Sequence, residues 1–164
     1  MATNLNKSRR SFIKAGALAA GSFLIVPRHV LGRGFIAPSD KLNLAAIGAG
    51  GKGASDIRNA YNNGADNVVA LCDIDKNYCK SSIDLFPKAK FYADFRRMLE
   101  EMRTDIDAVT ISGPDHIHGV AGMVAMQLGK HVYIQKPLTH NIYEARKLTE
   151  TARQYKVVSQ MGNQ

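Results

Sequence analysis

The chain has 164 residues, enough for one domain with a substantial core and hardly enough for two. Charged residues make up 22% and hydrophobic ones 45%, the composition of a globular domain rather than a disordered or disulfide-stapled one. The net charge of +8 hints at nucleic acid, but residues 1–40 hold six Lys/Arg against Asp40 alone; this leaves +3 for the rest and argues against a nucleic-acid partner.

The basic leader is set aside before fold reasoning. Ser8-Arg9-Arg10-Ser11-Phe12-Ile13-Lys14 is similar to the twin-arginine export motif, and Ala15–Val26 has the length and apolar character of a signal core. An amphipathic N-terminal helix fits less well, because the stretch has glycines and no polar face. Residues 1–32 are therefore expected to direct export to the periplasm, with cleavage near Gly32 and residues 33–40 as linker. That route carries folded proteins, often with a cofactor bound. No apolar run reaches the length of a membrane span, so the mature part is expected to be soluble.

From Leu42 the pattern changes. Leu42–Ile47 is an apolar strand-like run that breaks into Gly48-Ala-Gly50-Gly51-Lys52-Gly53, and a helical pattern follows with Ile57, Ala60 and Tyr61. A second apolar run, Val68–Cys72, ends at Asp73, 20 residues past Gly53. Strand, G-x-G-x-x-G turn, helix, strand and distal acid in this order form a dinucleotide-binding unit. Gly48 allows the tight turn, Gly50 has no Cβ to hold the pyrophosphate off, and Gly53 lets the helix close on its strand. Gly51 and Lys52 complete the turn, at a helix N-terminus whose free N–H groups suit phosphates. Asp73 is placed to accept from the adenosine ribose hydroxyls. The bland reading is a glycine-rich loop in an ordinary α/β domain, which the strand, helix and acid together make the weaker one.

The alternation continues. A helix is predicted over Asp75–Asp84 with Asp75 as N-cap, a short strand over Lys90–Tyr92, and a helix over Asp94–Met102 capped by Asp94. Ala108–Ile111 is a buried strand, His116–Leu128 a helix closed by Gly129, His131–Ile134 a fifth strand, Thr139–Tyr155 a helix and Val157–Gln160 a sixth strand. Six strands alternating with helices predict an α/β fold, a doubly wound parallel sheet of Rossmann type over residues 41–164, in the order 3-2-1-4-5-6. Cys72 and Cys79 are expected to be buried apolar thiols rather than a disulfide, and two ligands alone make no metal site.

Two polar loops fall at the carboxyl edge of such a sheet: Ser112-Gly-Pro114-Asp115-His116-Ile-His118 after strand four, and Gln135-Lys136-Pro137-Leu-Thr-His140 after strand five. Both are expected at the nicotinamide half of the groove. There a lysine can donate to a substrate oxygen, and desolvation lowers its pKa toward acid–base use. Position alone leaves Lys136 equally readable as a solvated loop lysine, and His116 and His118 as capping or surface polarity.

GAGGKG, CDID, GPDHIH and QKPL, in this order and spacing, resemble the Gfo/Idh/MocA family over about Lys41 to Gln164. The resemblance implies NAD(P)-dependent oxidation or reduction of a CH–OH group in a small-molecule carbohydrate or cyclitol. Lys136 matches the lysine of the family's E-K-P motif and would act as acid–base or orient the reacting hydroxyl. Pro114, Asp115 and His116 match the loop along the cofactor, with Gln135 and Lys136 adjoining it. Asp73 matches the ribose-binding acid, whose charge favours NAD over NADP. Gln135 stands where the family usually has Glu; losing a carboxylate beside Lys136 is expected to lower the lysine pKa. Family members also continue into a second α/β domain with the substrate pocket and oligomer interface, so a homo-oligomer is implied for the full-length protein. This chain is expected to be its cofactor half, binding weakly and turning nothing over alone. The alternatives are an NAD-dependent glycoside hydrolase of the same family, with no two-carboxylate signature to support or exclude it, and a non-catalytic nucleotide-binding fragment.

Overall fold

The computed structural model describes residues 37–163; the leader, with its twin-arginine motif and cleavage site, lies outside the described residues. Six strands form one parallel sheet: β1 (Asn43–Ile47), β2 (Asn67–Cys72), β3 (Lys90–Tyr92), β4 (Ala108–Ile111), β5 (His131–Ile134) and β6 (Ser159–Met161). Their order is β3-β2-β1-β4-β5-β6, the doubly wound arrangement expected from the alternation of strand and helix. Five helices connect them: α1 (Gly51–Tyr61), α2 (Lys80–Leu85), α3 (Phe95–Glu101), α4 (Asp115–Gln127) and α5 (Ile142–Tyr155).

The two-residue period of β1 sorts the core. Leu44 and Ala46 face one side of the sheet with Leu71, where Ile57, Cys79 and Phe86 cover them. Ala45 and Ile47 face the other with Val109, Ile111 and Ile134, under Met98, Leu99, Met126 and Leu148. Central strands covered on both faces are uniformly apolar, which is why they read as runs rather than alternations.

Register matters most for function. Ile47 pairs with Cys72 and with Ile111, and Ile111 pairs with Ile134, so four strands end in one row. The ladder then runs one step further into the loops: Gly48 N–H donates to the Cys72 carbonyl, Ser112 to Ile47, Gln135 to Ile111 and Gly162 to Ile134, each at 2.8 Å. The segments after β1, β2, β4 and β5 therefore leave the same edge.

Local chemistry sets the helix ends. Asp94 caps α3 by accepting from the Arg96 N–H at 2.9 Å, as expected. Gly129 follows α4 in the left-handed region (φ +76°), with its N–H on the Met126 carbonyl. Two starts differ from expectation. The predicted helix over Asp75–Asp84 begins only at Lys80, because Asp75 turns the chain by accepting from the N–H groups of Asn77 and Tyr78. The helix predicted from Thr139 begins at Ile142, where Asn141 supplies the cap to Glu144 at 2.9 Å. The last strand is likewise Ser159–Met161 rather than Val157–Gln160. Among the described residues, no helix is long and apolar enough to cross a membrane.

Cys72 and Cys79 are both free and buried, as expected. Burial, reinforced by the charges of Asp73 and Asp94, pushes the Cys72 thiol up to about 12; burial and Asp73 raise Cys79 as well. A thiol reagent at pH 8 is accordingly expected to titrate neither cysteine until denaturant is added. A Cβ at Gly53 would overlap the Gly48 carbonyl oxygen, so Gly53→Ala is expected to cost about 3 kcal/mol or more in a denaturant melt. A melt unchanged within about 0.5 kcal/mol would contradict this close approach.

Candidate functional site

The strand ends put four short segments, those after β1, β2, β3 and β4, around one cleft. Gly48 opens the turn after β1, in the left-handed region (φ +76°), and a Cβ there would stand 2.5 Å from the Gly113 nitrogen. The turn after β1 thus lies directly against the loop after β4, and only glycine permits both the backbone conformation and the approach. Gly50 is the N-cap of α1, and Gly51, Lys52 and Gly53 are its first turn. No side chain caps this helix, so its N-terminus can present backbone N–H groups to an anion.

Asp73 leaves β2 beside the turn. One carboxylate oxygen accepts from the Gly50 N–H at 3.0 Å and the other from the Asp75 N–H at 3.1 Å. The acid therefore braces the glycine turn as well as facing the groove. Across from it, Pro114 is the N-cap of α4, with Asp115 and His116 exposed in its first turn. A cleft of about 560 Å³ runs between these segments, lined by Gly48, Asp73, Phe95, Pro114, His116 and Ile117. An uncapped helix N-terminus, glycines in close approach and a carboxylate at the second strand suit a dinucleotide.

One residue-level reason differs from the expectation. A Cβ on Gly50 or Gly51 would run into the Tyr78 ring or its hydroxyl. The missing side chains make room for Tyr78, which lies exposed over the glycine turn, as well as for any ligand. No sequence signal marked Tyr78.

The loop after β5 completes the edge. Lys136 is exposed there, while Gln135 is buried. The Gln135 carbonyl oxygen accepts from the Lys136 backbone N–H at 2.8 Å, and its amide nitrogen donates to Asp56 Oδ2 at 3.1 Å. The side chain at 135 is thus engaged with Asp56 and the Lys136 backbone rather than with the Lys136 ammonium. There it meets a buried carboxylate, a contact the sequence did not announce.

Asp56 was not among the sequence candidates. It lies on the inner face of α1, 6% exposed, with Oδ1 taking the Lys52 ammonium at 2.7 Å and Oδ2 taking the Ser112 hydroxyl at 2.7 Å besides Gln135. Burial pushes this carboxyl up, but the bonds from Lys52, Ser112 and Gln135 together with the Lys52 charge outweigh it and hold it below the ordinary carboxylate range. The signal in the sequence was an acid beside Ile57 on the apolar side of α1, four residues from a lysine. Lys52, which completes the glycine turn, sends its ammonium back to Asp56.

His118, also a loop residue in the sequence reading, is buried and bridges the same two loops. Its Nδ1 lies 2.7 Å from the Pro137 carbonyl oxygen and its Nε2 2.9 Å from that of Gly113. A neutral ring donates to one of these carbonyls and an imidazolium to both. Among the described residues, no cluster of three or more His, Cys, Asp or Glu is placed to hold a metal.

The molecule's relatives agree with this architecture. Residues 42–163 match the family model GFO_IDH_MocA, an oxidoreductase family with an NAD-binding Rossmann fold. A glycosyl hydrolase family 109 protein of Shewanella pealeana is 26% identical over 167 residues, covering 88% of this chain and 37% of that protein. Another from Shewanella baltica is 28% identical over 172 residues, covering 90% and 37%. Among solved structures, a myo-inositol 2-dehydrogenase from Lactobacillus plantarum superposes with a TM-score of 0.67 at 25% identity, over 74% of this chain and 36% of its own. A WlbA dehydrogenase from Chromobacterium violaceum, in complex with NADH and UDP-GlcNAcA, gives a TM-score of 0.67 at 21% identity over 85% and 37%. The chain thus spans little more than a third of the length of these relatives.

The Asp56 network has a pH signature. A carboxyl depressed by folding contributes stability that is present above its unfolded pKa, about 3.9, and lost as pH falls through the folded value. Asp56→Asn is expected to cost about 1–3 kcal/mol at pH 7, with the difference from the parent shrinking below about pH 4. Parallel acid-unfolding curves for parent and variant would contradict it.

Proposed function

The chain belongs to the Gfo/Idh/MocA oxidoreductase family through an NAD-binding Rossmann domain over residues 42–163, and from that premise we propose that it is the cofactor half of an exported enzyme that transfers hydride at a CH–OH group of a sugar, sugar derivative or cyclitol. The observation that carries the reading is the placing of Lys136. It stands exposed at the carboxyl end of β5, while the adjacent Gln135 ties that loop to Asp56 on the helix of the phosphate turn.

The roles follow from position. The N–H groups at the start of α1 receive the pyrophosphate, with Gly48, Gly50, Gly51 and Gly53 giving the backbone access and Lys52 adding positive charge nearby. Asp73 accepts from the ribose hydroxyls and repels a 2′-phosphate, favouring NAD over NADP. Pro114, Asp115 and His116 line the nicotinamide side, with Gln135 and Lys136 closing it. Bound NAD supplies the hydride acceptor. Lys136 holds or moves a proton at Nζ, taking it from the substrate hydroxyl as the carbonyl forms and returning it in reduction. Export is supported by the motif at Ser8–Lys14. Assembly as a homo-oligomer is part of the same reading for the full-length protein and rests on the family resemblance alone.

The curated relatives' names favour a second reading, a glycoside hydrolase that uses NAD without net redox change. Under it the same lysine serves transient oxidation of the sugar. The two separate on one assay: the dehydrogenase reading requires stoichiometric NADH from a free sugar or cyclitol, and the hydrolase reading requires glycoside cleavage with no net NADH.

Calorimetric titration of the 164-residue chain is expected to give NAD binding in the micromolar to millimolar range, with NADP at least about tenfold weaker, roughly 1.4 kcal/mol. Asp73→Ala is expected to weaken NAD and to narrow that preference. The 164-residue chain alone is expected to form no NADH from any sugar. With the substrate half present, Lys136→Met is expected to lower kcat about a hundredfold or more. No NAD binding by a folded chain, or full turnover by the Lys136→Met enzyme, would refute the assignment.

A further inference from the structure

Among the described residues Asp56 is the one buried carboxylate, and it neither lines the cleft nor bonds to Lys136. Its carboxylate is the meeting point of three segments that carry the site: α1 through Lys52 and its own backbone, the loop after β4 through the Ser112 hydroxyl, and the loop after β5 through the Gln135 amide. Ser112 and Gln135 both donate to the same oxygen, Oδ2, at 2.7 and 3.1 Å. Oxygen Oδ1 is taken by Lys52 at 2.7 Å.

The donor count fixes which side chain position 135 can hold. Gln135 uses its amide nitrogen on Asp56 and its carbonyl oxygen on the Lys136 N–H. A carboxylate at 135 would still accept from Lys136, but it would face Asp56 with an acceptor against an acceptor and two negative charges in a dry site. A side chain at 135 is held inside, because Gln135 is buried at 5% exposure.

We propose that Asp56 is the positioning residue that locks the phosphate turn to the two loops on the nicotinamide side, and that Gln135 is its obligatory neutral partner. The inference rests on the NAD-binding reading above and deepens it: the residue before the lysine is chosen to suit the acid under the turn. The charge that the resemblance places at 135 resides instead at 56, on another element. An acid at one of the two positions and an amide at the other are therefore equivalent, whereas two acids or two amides are not.

The equivalence gives a swap test on the 164-residue chain, using NAD as the probe. Asp56→Asn and Gln135→Glu, made singly, are each expected to weaken NAD binding about tenfold or more at pH 8. The double variant is expected to bind within about threefold of the parent. In it the amide introduced at position 56 donates to the carboxylate introduced at position 135, and its carbonyl accepts from Lys52. Gln135→Glu should also recover affinity as pH is lowered from 8 toward 5.5, because the introduced carboxyl, once protonated, donates to Asp56 as the native amide does. That carboxyl is raised by its neighbour, so its contribution is present at low pH and lost as pH rises. The groups facing this pair are Lys52 on α1 and the Ser112 hydroxyl. His118 reaches the same loops only through the Gly113 and Pro137 carbonyls and is unchanged in every variant, so each affinity is read as a ratio to the parent at the same pH.

Should Gln135→Glu fail to fold at pH 8, the same variant at pH 5.5 and the double variant at both pH values carry the comparison, with circular dichroism confirming the fold. Singles that bind like the parent, or a double variant whose loss is the product of the two single losses, would overturn the proposal. A parent chain that is folded yet binds no NAD would instead refute the NAD-binding reading. A rescue of affinity by the swap with Lys136→Met still active in the longer enzyme would leave Asp56 in place and remove only the lysine's role.

Discussion

A single carboxylate under the glycine turn governs how the rest of the site is arranged. Burying Asp56 costs desolvation that an unpaired charge could not sustain. The ammonium of Lys52, the Ser112 hydroxyl and the Gln135 amide offset it, and the partners come from α1, the loop after β4 and the loop after β5. Removing one partner leaves a charge short of ligands in a dry place, so the segments hold one another in register. His118 adds a second tie between the two loops from the other side of the edge. Under the positioning role proposed for Asp56, affinity for a dinucleotide and the placing of Lys136 both depend on this one buried contact set.

The sheet makes that contact possible. With Ile47, Cys72, Ile111 and Ile134 aligned, four loops begin at one level, and small residues do the remaining work of closeness. Gly48 against Gly113 and Gly53 against the Gly48 carbonyl bring α1 near enough to the β4 loop for Asp56 to reach Ser112. Backbone packing thus sets the chemistry of the side chains above it.

Much of this was legible in the sequence. The strand order follows from the alternation of buried runs with helical patterns, and the glycine turn with Asp73 follows from spacing, because each requirement there is a local backbone property. Helix starts at Lys80 and Ile142 were missed where Asp75 and Asn141 offered the chain competing turns and caps. Asp56 was missed for a different reason. Lys52 is its only local partner; Ser112 and Gln135 lie 56 and 79 residues away, and no local period announces contacts of that range. Gln135 was noticed as a departure from a carboxylate, but its physical meaning depends on what it faces, which only the packed loops reveal. Tyr78 over the glycine turn belongs to the same class: an exposed aromatic with no pattern around it.

Hydrogen exchange with and without NAD measures the mechanical coupling directly. If Asp56 locks the three segments together, NAD bound at the turn slows exchange of the amides at Gly50–Gly53, Gly113–His118 and Gln135–Leu138 together, and the concerted response is lost in Asp56→Asn at saturating NAD. Protection confined to the glycine turn in the parent chain, with the two loops unchanged, would show that the segments move independently and would contradict the coupling.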